Sequence, residues 1–160
     1  LAHHDVEMLP NGNVLMLVWE AKTLAEAREY GYEEDVPFVY PESLIEVDIN
    51  SKEIVWRWDS WDHLVQESDP SKKEYDVVQN RPERINLNFV DEDRKEVIPD
   101  GDFMHANGFD YDADRDIIFL SVNFYSEVWV IDHSTTTEEA KTSTGGKYGM
   151  FDRQKLLVWV

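Results

Sequence analysis

Short apolar runs, alternating or continuous and separated by turn residues, cover most of the chain. Residues Asp5 to Trp19 read as a hairpin: DVEML alternates, PNGN supplies the turn, and VLMLVW is a buried-strand run. Asn11-Gly12 predicts a type I′ turn, because both residues tolerate positive φ. LAEAREY at 24–30 predicts a short helix stopped by Gly31, and the stretch to Glu42, with Pro37 and Pro41, reads as loop. SLIEVDI, NSKE and EIVWRW predict a second hairpin, with Ile54, Trp56 and Trp58 on one face and Val55 and Arg57 on the other. From Asp59 to Asp102 the chain is polar apart from INLNFV, a long segment of the kind that covers something or carries function. HANGFDYD, IIFLSVNFY and SEVWVID then predict three strands, the first two joined by the turn ADRD. HSTTTEEAKTSTGGKY reads as a polar loop and LLVWV as a last strand.

These pieces repeat. Each half opens on a histidine and holds four short strands, at 3–65 and 102–160, with 66–101 as an insertion. Four consecutive antiparallel strands of this size make one propeller blade. The expected fold is therefore all-β, a β-propeller, with about two blades forming part of a single domain over 1–160. Propellers close with about 4–8 blades. Both ends of the chain fall in strand-like runs, so a longer parent chain is expected. A complete sandwich of about eight strands is the alternative that pattern alone leaves open.

Charge narrows the partners. With 34 acidic and 15 basic residues the formal net charge is −19, a field that repels nucleic acid and anionic membranes. A small anion would have to be held by local donors. There are no cysteines, so disulfides, thiolate metal sites and cysteine nucleophiles are excluded. No apolar run approaches the roughly 18 residues of a membrane-spanning helix, and no membrane insertion is expected.

The recurring histidines are the main chemical signal. His4 and His105 each open the first strand of a half. In a propeller those strands line the central channel, where imidazoles can donate to an anion or neutralise it. A histidine bonded to a neighbouring loop is the competing explanation for either one. Asn107 shares the His105 face of a regular strand and offers an amide donor to an oxyanion, or else caps a turn. His3 points opposite His4 in a regular strand and is the weaker substrate-binding candidate. The run Asp110, Asp112, Asp114, Asp116 resembles the start of a calcium loop but lacks its glycine and closing glutamate, so a solvated turn is expected and no metal. Trp56, Trp58, Trp129 and Trp159 are expected in the core rather than as a carbohydrate platform. His63 falls outside the repeat-start positions, and His133 reads as a turn residue at a strand end.

HHDVEMLPNGNVLML, WDHLVQ, PERINLNF, DFMHANGFDYD and SEVWVIDHSTTTEEAKTSTGGKYG resemble consecutive motifs of the bacterial arylsulfotransferases, nearly end to end. The resemblance implies a six-bladed propeller, periplasmic or secreted, with its active site in the central channel. It implies sulfuryl transfer from an aryl sulfate to a phenol through a sulfated histidine, with no cofactor. His4 and His105 match two supporting histidines that hold the sulfuryl oxygens. The family's arginine falls where this chain reads LSVNF, at Asn123, which donates a hydrogen bond but carries no charge. The family's nucleophilic histidine belongs to a later blade, and none follows His133, so it is expected beyond Val160 and residues 1–160 alone are expected not to turn over. Loss of the arginine, the acidic surface and the long insertions favour the other reading, a non-catalytic propeller that binds or assembles.

Overall fold

The computed structural model describes residues 1–89, 101–142 and 145–148. In chain order the elements are β1 (Ala2–Met8), β2 (Val14–Trp19), β3 (Lys22–Thr23), α1 (Leu24–Glu29), β4 (Phe38–Val39), β5 (Glu42–Val47), β6 (Ile54–Asp59), β7 (Leu64–Val65), β8 (Ile85–Asn86), β9 (Ala106–Asp112), β10 (Ile117–Val122), β11 (Glu127–Asp132) and α2 (Thr137–Ala140). The architecture is all-β, with two short helices. One sheet is the antiparallel meander β1-β2-β5-β6, and the other is the antiparallel set β9-β10-β11. The pairs β3-β4 and β7-β8 stand apart, the latter parallel. The last expected strand, LLVWV with Trp159, lies outside the described residues.

The core forms where the sheets meet. Leu15, Leu17 and Leu44 from the first sheet and Ile118, Leu120 and Ile131 from the second are fully buried. Each such side chain contributes roughly 2 kcal/mol of transfer free energy. Trp58 and Trp129 meet edge to face across this junction with ring centroids 6.3 Å apart, and Trp56 is also buried, as its alternation predicts. Ile54 is half exposed at the start of β6, so the predicted apolar face begins only at Trp56.

Local signals decide the joints. Thr23 and Glu26 form a capping box at the start of α1, each side chain accepting from the other's backbone N–H. Thr136 and Glu139 repeat the device at α2. That helical turn corrects the loop expected over 133–148: TTEE is itself a capping signature. At the first hairpin Gly12 is left-handed (φ 88°) and Asn11 is not, so the expected type I′ turn gives way to a longer connection over residues 9–13. Asn11 instead turns its side chain to Asn13 N and Glu46. The strand expected over IIFLSVNFY ends at Val122, because Asn123 to Ser126 make a turn closed by Ser126 N on Asn123 O at 3.0 Å.

His133 does more than turn the chain. Its Nδ1 meets Asp116 Oδ1 at 2.7 Å and its Nε2 meets Glu46 Oε2 at 2.9 Å, so one ring ties β5 to the β9–β10 turn. Glu46 is buried and its other oxygen accepts from Asn11 and Asn13. Burial pushes the Asp116 carboxyl up, but bonds from His133 and Tyr111 outweigh that and hold it below the usual range. Removing the ring strands two carboxylates against each other. His133→Ala is expected to lower unfolding free energy by about 3 kcal/mol, measured by urea denaturation; a loss under 1 kcal/mol would contradict the inter-sheet role.

His63 has the opposite chemistry. It is buried, stacked on Trp58 with centroids 5.4 Å apart, and bonded through Nε2 to Ala140 O at 2.9 Å. Burial pushes its pKa down to about 4 from 6.5. The unfolded chain therefore takes up a proton that the folded chain refuses. The stability involved is fully present above pH 6.5 and is lost as pH falls from 6.5 toward 4. Between pH 7 and pH 5 the loss from this residue is about 2 kcal/mol. His63→Gln is expected to flatten that slope in paired denaturation curves, and an unchanged slope would clear His63 of it.

Candidate functional site

The first strands of the two sheets lie side by side. Asp5 of β1 accepts the Phe109 N–H of β9 at 2.9 Å through Oδ2. A Cβ on Gly108 would sit 3.0 Å from that same oxygen, so glycine permits the close approach. Two histidines near the starts of these strands are in the left-handed region: His4, third in β1, at φ 54° and His105, just before β9, at φ 50°. Non-glycine residues pay for this conformation with a Cβ clash worth about 1–2 kcal/mol. Pairing slips beside both: β1 and β2 shift register between Ala2 and Val6, and β9 and β10 between Ala106 and Gly108. Bulges of this kind re-aim side chains.

The two rings converge, with centroids 5.2 Å apart at 70°. His4 is exposed and also meets His3 edge-on at 5.0 Å. His105 stacks on Phe124 at 5.0 Å. Asp102, nearly buried, grips His105 twice: Oδ1 accepts its backbone N–H at 3.0 Å and Oδ2 meets Nδ1 at 2.5 Å. That clamp fixes the ring and directs Nε2 elsewhere. His3 leans on Trp19 with centroids 4.3 Å apart, and its Nε2 meets Glu42 Oε2 at 2.8 Å. The other Glu42 oxygen accepts from Trp19 Nε1 at 3.0 Å and from Ala106 N at 2.8 Å.

Asn123 is exposed beside this cluster, its backbone N–H donating to His105 O at 3.1 Å. Asn107 is exposed and is the extra residue of the β9 bulge. Two-residue alternation therefore does not carry it onto the His105 face, because both the bulge and the left-handed His105 interrupt the pleat. Of the aspartates in DYDADRD, Asp112 takes Arg115 and Asp116 takes Tyr111 and His133. Glu42, Asp102 and Asp5 went unnoticed in the sequence. A glutamate opening the strand-like run ESLIEV, and an aspartate three residues before His105, were the available signals.

Chemically the arrangement is a pair of imidazoles at the junction of two sheets, open to solvent on the His4 side, with the His105 ring clamped by Asp102 and the His4 ring packed against His3 and His105. Two rings this close are within reach of one shared anionic group, each offering a nitrogen at about 3 Å. The chain is thus an all-β protein of antiparallel sheets with two imidazoles at their junction. The family model for arylsulfotransferase (ASST) matches residues 1–149, and the chain belongs to the arylsulfotransferase family. No curated protein gives a match.

The left-handed histidines make a test of the backbone. At position 4 glycine removes the Cβ clash, whereas alanine keeps it. His4→Gly is expected to be more stable than His4→Ala by about 1 kcal/mol in denaturant unfolding, the reverse of the order usual in strands. Alanine equal to or better than glycine would show that the conformation carries no strain.

Proposed function

We propose that this chain is the part of an arylsulfotransferase propeller that carries the two supporting histidines, and that the parent protein moves a sulfuryl group from an aryl sulfate to a phenol. The observation that carries the reading is the convergence of His4 and His105, both left-handed and both near the start of a first strand. Each sheet is then one blade, residues 3–65 and 102–160 are the blade repeats, and β1 and β9 face the central channel. The remaining blades come from outside these residues, and the protein acts in the periplasm or as a secreted protein.

In the first half-reaction a histidine nitrogen from another blade attacks sulfur, the S–O bond to the aryl group breaks, and the phenolate leaves, taking a proton from a supporting imidazolium. In the second a phenol oxygen attacks sulfur, the N–S bond breaks to free the histidine, and the acceptor's hydroxyl proton passes back to that supporting imidazole. Negative charge spreads over the sulfuryl oxygens in both steps. His4 and His105 hold those oxygens, and groups set in place before the reaction stabilise such charge most effectively. Asn123, in the place of the family arginine, adds a neutral donor instead of a guanidinium fork.

A second reading is a non-catalytic binding module, favoured by that same neutral Asn123 and by the net charge of −19. One assay separates the two. The full-length natural protein is given an aryl sulfate donor and a phenol acceptor. Turnover is expected, with His4→Ala and His105→Ala each lowering kcat about 100-fold while the fold is retained. Full activity in both variants removes their role, and binding without turnover in the unmutated protein favours the module.

A further inference from the structure

Glu42 carries no role in the chemistry just described, yet it has no solvent exposure and three donors converge on it. Two of them belong to the first sheet. Trp19 is its direct cross-strand partner on β2, and His3 stacks on that same indole. The third is the backbone N–H of Ala106, the residue that follows His105 in the second sheet. A buried carboxylate is tolerated when its oxygens are occupied by donors in this way, and deleting any donor exposes an uncompensated charge. The side chain therefore holds two things at once: the His3–Trp19 stack against which His4 lies, and the peptide that sets the left-handed turn at His105.

We infer that Glu42 is a positioning residue that locks His3 and the His105 turn into one unit, so that the spacing of the His4 and His105 rings depends on this buried carboxylate as well as on the Asp5 bond to Phe109 N. The inference rests on the role proposed above for those two histidines. Asp102 fixes the orientation of the His105 ring from its own loop. Glu42 instead fixes where that loop stands relative to the first sheet. His3 Nδ1 is buried without a hydrogen-bond partner among the described residues, so the Nε2–Glu42 bond sets the tautomer of that ring, while Trp19 supports its face. An amide at position 42 keeps one acceptor oxygen for Trp19 and Ala106 but presents N–H to His3. His3 Nε2 must then accept, which moves its proton to Nδ1.

The test compares Glu42→Gln and Trp19→Phe with the unmutated full-length protein. Trp19→Phe deletes one donor onto the carboxylate and keeps an aromatic ring against His3, so it reports even where Glu42→Gln does not fold. Imidazole 15N–1H spectra are expected to show the His3 proton moving to Nδ1 in Glu42→Gln, with His105 resonances displaced in both variants. In the sulfuryl-transfer assay kcat is expected to fall at least about tenfold in Glu42→Gln with KM changed much less, since misplaced groups cost chemistry more than binding. Undisturbed His105 resonances in both variants overturn the inference whatever the activity. Displaced His105 resonances with full turnover would leave the positioning intact and overturn the catalytic reading of the histidines.

Discussion

Two sheets that meet along their first strands face a backbone problem: β1 and β9 lie side by side without pairing as a ladder, and their N–H groups still need acceptors. Side-chain carboxylates supply them. Asp5 reaches Phe109 N and Glu42 reaches Ala106 N, one from β1 itself and one from a strand two places further into the sheet. Everything at the candidate site hangs from these bonds. They fix how far the second sheet stands from the first, and the spacing of His4 from His105 follows from that.

The same solution recurs further along the sheets' junction. Glu46, four residues along β5 from Glu42, is buried and reaches across to His133. So a strand that is apolar at Leu44 carries an acid on either side, and both acids serve the junction rather than the surface. A chain with a net charge of −19 has abundant carboxylates to use this way, and each buried one needs donors to offset its desolvation. The donors here are tryptophan and imidazole N–H groups, asparagine amides and peptide N–H groups. None of them demands a lysine or arginine in the interior.

What the sequence disclosed follows the range of the interaction responsible. The hairpins, the α1 helix and the burial of Trp56, Trp58 and Trp129 rest on neighbours within a few positions, and they were legible. The recurrence of His4 and His105 was legible because the repeat places them alike. Glu42 was not, since its donors at 3, 19 and 106 come from distant parts of the chain and no local spacing announces them. Asn11-Gly12 misled for a related reason: Glu46 and Asn13 claim the Asn11 side chain, and only Gly12 takes the left-handed conformation. The alternation argument for Asn107 presumes a regular strand, and β9 has a register shift at that residue, next to the left-handed His105.

That irregularity is informative in its own right. Left-handed backbone at a histidine costs free energy that glycine or asparagine would spare. The cost occurs twice, at corresponding places in two sheets, beside a register slip each time. Packing does not explain it, because His4 is exposed and contributes little to the core. Left-handed backbone at both histidines sets the direction in which each side chain leaves its strand, and that direction is what brings the two rings together. The neutral Asn123 adds weight to this. With no guanidinium at that position, the sulfuryl transfer proposed above would depend more heavily on the two imidazoles and on whatever holds their rings in place.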